Sequence, residues 1–198
     1  MFTGLIQGVG HVRHGEARDG GLRMQIDVGS LPFSEVELGE SIAVNGVCLT
    51  VVAFDAASFA VDVSSETLRL TTLGNLRSNA PLNLERAMRP SDRFGGHVVS
   101  GHVDGVGRVV QAGAADGEQV WRFAAPRELH RYIAKKGSIC VDGVSLTVND
   151  VNDEGFAVML IPHTIRHTAF AGSKAGDAVN LEVDLIARYV ERMLGARS

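Results

Sequence analysis

Ser41-Ile42-Ala43-Val44-Asn45-Gly46-Val47-Cys48-Leu49-Thr50-Val51 returns 97 positions later as Ser138-Ile139-Cys140-Val141-Asp142-Gly143-Val144-Ser145-Leu146-Thr147-Val148. The same step carries Gly4, Gly8, Val9, Gly10 and Val12 onto Gly101, Gly105, Val106, Gly107 and Val109. It also carries Phe59-Ala60-Val61 onto Phe156-Ala157-Val158, Thr67 onto Thr164, Arg69 onto Arg166, and Asn83-Leu84-Glu85 onto Asn180-Leu181-Glu182. One register held this far means one module present twice. Two units are too few for a solenoid, so each has to close its own core. Past Val12 the copies align poorly, and Gly20-Gly21, Leu31-Pro32, Asp116-Gly117 and Ala125-Pro126 read as turns that vary between them.

Within a unit, Asn45-Gly46 separates two apolar runs, Ser41 to Val44 and Cys48 to Phe54, and both residues tolerate the positive φ of a two-residue hairpin turn. Asp142-Gly143 repeats the signal. Leu5 to Val12 reads as an opening strand, with Gly8 and Gly10 suggesting a bulge or tight bend. Leu22 to Val28 alternates apolar with polar residues, and Phe59 to Val63 is the next strand. Ser65 is placed to cap a short helix running to Arg69. Its counterpart Pro162 starts the second short helix, where a missing N–H does no harm. Leu82 to Glu85 closes the unit. Short strands, frequent turns and one short helix per unit predict a small closed barrel, which removes exposed sheet edges. Ala87 to Gly96 reads as a linker. In the tail, Leu185, Ile186, Tyr189, Val190, Met193 and Leu194 share one helical face, with Arg188, Glu191 and Arg192 opposite. That stripe covers either its own barrel or copies from other subunits.

The composition excludes several classes of function. A net charge of -4 over 198 residues and a pI near 6.0 give no electrostatic reason for nucleic acid or an anionic membrane as partner. The N-terminus lacks a basic region followed by a long apolar run, so the expected address is cytoplasmic. Cys48 and Cys140 form no CxxC and read as free thiols. No P-loop or GxSxG elbow occurs, and Gly4-Leu5-Ile6-Gln7-Gly8-Val9-Gly10 lacks the helix a dinucleotide fingerprint requires. His163 and His167 lack further ligands nearby, so no metal is expected.

The chemistry is sought where the copies differ. Cys48 faces Ser145 across the repeat, and Leu5 faces His102. A thiol reacts only when a neighbour lowers its pKa, and an unpaired cysteine is commonly a small buried hydrophobe. His97 and His102, five apart, would fall on opposite faces of a strand, which argues against joint metal ligation. For a single histidine a structural role is the default. Matched polar residues, Thr50 with Thr147, Thr67 with Thr164 and Ser41 with Ser138, imply two similar pockets and two similar ligands.

Met1-Phe2-Thr3-Gly4, Gly39-Glu40 with the Ser41–Val51 stretch, Gly95-Gly96-His97-Val98-Val99-Ser100-Gly101-His102-Val103-Asp104-Gly105, Lys136-Gly137-Ser138, the Val141–Val148 stretch and Ile161-Pro162-His163-Thr164 occur in this order along the chain. Together they resemble the riboflavin synthase family of the alpha-chain type, and the resemblance covers the whole chain. It implies two tandem six-stranded Greek-key β-barrels, over residues 1–97 with the linker and 98–184, and an oligomerisation helix at 185–198. It further implies a homotrimer with a site between barrels of different subunits, and possible association with lumazine synthase. The implied reaction converts two molecules of 6,7-dimethyl-8-ribityllumazine into riboflavin and 5-amino-6-(D-ribitylamino)uracil, without metal or cofactor. Implied substrate contacts are Gly4, Leu5, Ile6, Cys48, Leu49, Thr50, Asp62, Val63, Ser64, Ser65, Glu66 and Thr67 on one side. On the other they are Gly101, His102, Val103, Ser145, Leu146, Thr147, Ile161, Pro162, His163, Thr164, Ile165 and Arg166, with Lys136 from another chain. For catalysis, His102 is expected to assist proton transfer, Cys48 and Ser41 to flank the attacked carbon, Phe2 to shield a ring, and Ser145, Thr147 and Asp184 to orient the partner molecule. Asn79-Ala80-Pro81 departs from the more typical Gly176-Asp177-Ala178, and Cys140 stands where alanine is expected. A non-catalytic lumazine- or flavin-binding antenna protein is the alternative function.

Overall fold

The computed structural model describes residues 1–18, 20–115 and 118–195. The first unit comprises β1 (Gly8–Arg18), β2 (Gly21–Asp27), β3 (Ser41–Val44), β4 (Val47–Phe54), β5 (Ser58–Ser64), α1 (Ser65–Leu70) and β6 (Pro81–Arg86), with a 3-10 turn over Thr72–Asn75. The second comprises β7 (Gly105–Gln111), β8 (Ala114–Ala115), β9 (Glu118–Ala124), β10 (Ser138–Val141), β11 (Val144–Asn152), β12 (Gly155–Met159), α2 (Pro162–Arg166) and β13 (Ala178–Val183). Helix α3 (Leu185–Gly195) follows.

Each unit closes into a six-stranded antiparallel barrel. The first has the order β1-β2-β5-β4-β3-β6, and the second closes because β9 pairs with both β7 and β12. In each, three consecutive strands pair in sequence and the last strand returns beside the first of them, the Greek-key arrangement. Asn45 and Gly46 take φ of 45° and 78°, and Asp142 and Gly143 take 46° and 83°, as the hairpin signal predicts. Val44, Leu49, Val51, Phe59, Val61 and Leu84 fill the first core, and Phe123, Phe156, Phe170, Ile139, Val148 and Leu181 fill the second.

The structure corrects several local expectations. The opening strand starts at Gly8 rather than Leu5, and its bulge lies between Val12 and His14. Gly8 and Gly10 serve instead for close approach, since a Cβ there would strike the Leu31 amide and the Asp27 carbonyl at 2.3 and 2.2 Å. The cap of α1 is Ser64, whose Oγ accepts from Thr67 N at 3.1 Å, so Ser65 is already the first helical residue. Pro162 opens α2 as expected. Asn79 adopts φ 66° where Gly176 adopts 97°, so asparagine supplies the left-handed turn that glycine supplies in the other copy. The Asp116-Gly117 turn lies outside the described residues.

The two barrels meet across a local twofold axis. Asn83 donates from Nδ2 to the Asp142 carbonyl, and Asn180 donates to the Asn45 carbonyl, each at 2.9 Å. Their Oδ1 atoms accept from Ala169 N and Thr72 N at 2.7 and 2.8 Å. Both asparagines are buried, so each amide side chain is satisfied by the opposite barrel. Phe2 and Val99 pair as an isolated antiparallel bridge and bury with Ala43 and Cys140 in one small cluster. These two pairs are again repeat mates, and Ala43 and Cys140 are each 2% exposed. Both cysteines are free thiols.

Candidate functional site

The segments ahead of β1 and β7 leave their own barrels. Ile6 packs against the second core, and its repeat mate Val103 packs against the first. At the crossing points, Gly4 carbonyl accepts from Ser145 N at 2.8 Å, and Gly101 carbonyl accepts from Cys48 N at 2.9 Å. Both glycines have positive φ, 76° and 81°, and a Cβ on either would sit 2.5 Å from the facing Cβ of Ser145 or Cys48. Only glycine combines that backbone with that approach. Cys48 and Ser145, repeat mates that set a thiol against a hydroxyl, are therefore held in one and the same way.

Around Cys48, which is partly exposed, the structure gathers Gly101, His102 and Val103. His102 is exposed, its amide donates to Ser100 Oγ at 3.3 Å, and its carbonyl accepts from Arg188 at 3.2 Å. Thr50 and Asp62 lie one step past the Val51–Val61 pair of β4 and β5, and both are exposed. Asp62 is gripped by Arg23 at 2.7 and 2.6 Å, and this guanidinium holds its carboxyl below the usual range. Asp62, Val63 and Ser64 line a cavity of about 310 Å3 with Arg18, Gly21 and Leu22. Glu66 pairs with Arg69 at 2.7 Å, Thr67 bonds Ser64 Oγ at 2.9 Å, and Ser41 pairs in register with Thr50.

Around Ser145 the set is Gly4, Leu5 and Ile6, together with His97. Ser145 Oγ lies 2.7 Å from His97 Nδ1. His97 is 8% exposed, and its Nε2 has no hydrogen-bond partner among the described residues. Burial lowers its pKa, with the nearby Asp184 charge pulling the other way, so burial favours the neutral ring. Asp184 also accepts from Ile186 N at 3.0 Å at the start of α3. Thr147 is exposed beside Met159, the repeat mate of Asp62. Ile161, Pro162, His163 and Arg166 are exposed on and before α2, where the His163 and His167 rings stack at 4.1 Å. Thr164 carbonyl accepts from Thr168 Oγ1 at 2.8 Å, Ile165 packs on the second core, and Lys136 is exposed at φ 68°.

Several residues sit otherwise than the expectation placed them. Phe2 is fully buried in the seam, packed with Ala43, Val99 and Cys140. Leu49 and Leu146 point into the cores, 5% and 9% exposed, and so does Val63 at 2%, which leaves their backbones as the groups that can meet a ligand. His97, set aside as structural from sequence, holds the serine that stands opposite Cys48. The repeat could not have flagged it, since its mate would precede Met1. Met159 was legible through the repeat, as the mate of a named residue.

A larger hollow of about 470 Å3 is walled by Glu35, Glu40, Arg86 and Arg89, whose charges are paired as Arg86–Glu40 and Arg89–Glu35. It contains none of the matched residues, and the matched residues define the site. Among the described residues no group of three or more His, Cys, Asp or Glu side chains could hold a metal ion, and no helix is long and apolar enough to cross a membrane.

A family model described as lumazine binding domain matches residues 3–87 and again 100–184, the same 97-residue step. The chain is 47% identical to riboflavin synthase of Actinobacillus pleuropneumoniae, over 98% of this chain and 90% of that protein. It is 44% identical to riboflavin synthase of Brucella abortus, over 98% of each. Among solved structures it is similar to LumP complexed with 6,7-dimethyl-8-(1'-D-ribityl) lumazine, with a TM-score of 0.82 at 23% identity, over 92% of this chain and 99% of that one.

Proposed function

The chain belongs to the riboflavin synthase family, built on two lumazine-binding domains, and we propose that it binds one 6,7-dimethyl-8-ribityllumazine on each barrel type and moves a four-carbon unit between them. The observation that carries this reading is the pair of crossings. Gly101 holds Cys48 and Gly4 holds Ser145 by the same hydrogen bond, so two like sites differ in the reactive side chain. A reaction that uses two copies of one substrate in unlike roles needs such an arrangement.

In this reading the lumazine on the second barrel is the donor. Its C7 methyl loses a proton to the Ser145–His97 pair, with neutral His97 as the final acceptor and Asp184 stabilising the charge that forms. The lumazine on the first barrel is attacked at C7, with Cys48 and Ser41 beside that carbon and His102 relaying protons. The two substrates contain all the atoms of riboflavin and 5-amino-6-(D-ribitylamino)uracil, so the exchange consumes no oxidant or reductant. Exposed Thr50, Thr147, Ser64, Ser65, Glu66 and Arg166 supply polar contacts to the ribityl chains and rings.

The assembly proposed is a homotrimer in which the first barrel of one chain faces the second barrel of another. The polar side of α3 supports it. Arg188 binds Asp104 at 2.5 Å and Arg131 binds Glu191 at 2.8 Å, which fixes the helix to its own barrel while Ile186, Tyr189, Met193 and Leu194 stay 63–68% exposed. Lys136 would reach a lumazine across that interface. Residues 1–97, 98–184 and 185–198 then act as first barrel with linker, second barrel and assembly helix, and two unpaired thiols suit a cytoplasmic address. Association with lumazine synthase rests on the resemblance alone, and co-sedimentation tests it.

The deciding experiment incubates the protein with the lumazine and follows riboflavin fluorescence. One riboflavin for every two lumazines consumed is the expected result. Tight binding without turnover would mean an antenna protein, and neither binding nor turnover would leave only a scaffold.

A further inference from the structure

Glu85 and Glu182 are repeat mates on the last strands, β6 and β13, and both are buried at 3% exposure. Neither forms an ion pair among the described residues. Each accepts instead from the segment that crosses to the other barrel. Glu85 takes Thr3 N at 2.7 Å and Thr3 Oγ1 at 2.9 Å on Oε1, and Gly4 N at 3.0 Å on Oε2. Glu182 takes Ser100 N at 2.7 Å and Ser100 Oγ at 2.6 Å on Oε1, and Gly101 N at 3.0 Å on Oε2. Burying a carboxyl is costly, and burial raises the pKa of both, while these donors pull each back down. A neutral amide could not satisfy them, because its NH2 end cannot accept.

The next link is what the held segments hold. Thr3 carbonyl accepts from His97 N at 3.2 Å and Gly4 carbonyl from Ser145 N at 2.8 Å. Gly101 carbonyl accepts from Cys48 N at 2.9 Å, and Ser100 Oγ accepts from His102 N at 3.3 Å. We propose that the two carboxylates are positioning residues that act crosswise: Glu85, on the first barrel, sets the His97–Ser145 pair of the second, and Glu182, on the second barrel, sets Cys48 and His102 beside the first. Each half of the chain aligns the reactive groups of the other. The inference rests on the reading of Cys48 and Ser145 as the unlike site groups, and its probes need no substrate.

Two probes read the two ends. Cys48 is the accessible thiol and Cys140 is buried, so the alkylation rate of the folded protein by a small iodoacetamide reports on Cys48. The imidazole proton resonances and titration of His97 report on the other pair. Glu182→Gln is expected to change the Cys48 alkylation rate by about threefold or more and leave His97 unmoved. Glu85→Gln is expected to shift the His97 signals and leave Cys48 reactivity unchanged. Each is expected to lower kcat by roughly tenfold to a hundredfold with little change in KM, the effect of misplacing groups by a fraction of an ångström. Ser100→Ala and Thr3→Val each remove one donor to the carboxylate and give the same crossed pattern at smaller amplitude, should a glutamine variant fail to fold. The uncrossed pattern, with each variant moving only the probe on its own barrel, overturns the proposal. So does movement of both probes together, or of neither. If the chain bound lumazine without turnover, the crossed pattern would still appear, so failure of the activity reading is distinguishable from failure of this one.

Discussion

Replacing Asp142 by asparagine should stabilise the protein, and the gain should grow with pH. The two hairpin tips stack at the twofold axis, with Gly46 and Gly143 so close that a Cβ on Gly46 would lie 2.7 Å from the Gly143 amide. Desolvation there raises the Asp142 carboxyl from 3.8 to about 7, against one hydrogen bond from Asn180 N that favours the charged form. An acid whose folded pKa is raised costs nothing below its unfolded value. The penalty develops as pH climbs from about 4 towards 7, because the unfolded chain releases the proton first. A shift of about three units corresponds to roughly 4 kcal/mol at full development, with relaxation of the site reducing what is measured. Asparagine keeps the acceptor for Asn180 N, as Asn45 does for Asn83 N at 2.7 Å, and carries no charge. Urea unfolding of both proteins at pH 4, 5, 6, 7 and 8 is the assay. Near-equal midpoints at pH 4 and a gain of about 1–4 kcal/mol by pH 8 are expected. A gain of the same size at every pH, or a loss at pH 8, would refute the desolvation argument.

Gly101→Ala should place a Cβ 2.5 Å from that of Cys48 on a backbone of positive φ, costing about 1–3 kcal/mol; calorimetry checks this, and Gly4→Ala should behave alike. His97→Ala, which removes the partner of Ser145, should lower kcat by about 10²–10⁴-fold in steady-state turnover while the fold survives. Since burial lowers the His97 pKa, wild-type kcat/KM should fall on the acid side as the base becomes protonated, at a lower pH than an ordinary imidazole would give; a fall at or above the ordinary imidazole range would exclude it as the base. Cys48→Ser and Ser145→Ala should weaken lumazine binding similarly in calorimetric titration yet reduce single-turnover rates by different factors. Met193→Glu, on the exposed face of α3, should shift sedimentation towards a monomer with the barrels intact.

Much of the fold was legible because the repeat reports itself twice. The Asn45-Gly46 and Asp142-Gly143 turns, the alternating strands and Pro162 at the start of α2 all follow from local rules that tertiary structure did not override. What stayed hidden is long-range. Leu5 to Val12 is apolar enough to read as one strand, but residues 2–6 belong to the seam, and periodicity does not say which sheet a strand edge meets. Phe2 looked like a ligand-facing aromatic because its burial depends on Val99, Ala43 and Cys140, which are distant in sequence. The cap shifted from Ser65 to Ser64 because two adjacent serines are equivalent to any pattern, and only the backbone at Ser64 is extended as a cap requires. His97 had no mate and so no contrast.

The exchanged opening segments also set a timetable for biosynthesis. Phe2 and Ile6 are synthesised before Val99, Ser145 and the second core, which lie in the other half of the chain. At about 5–20 residues per second, Phe2 waits roughly 5 s or more for Val99, while the segment's first-half neighbours Ala43 and Glu85 are made sooner. During that interval the side of the segment that meets the second barrel has no cover. Slow translation through Ala87 to Gly96 therefore lengthens that interval, well before any active site exists.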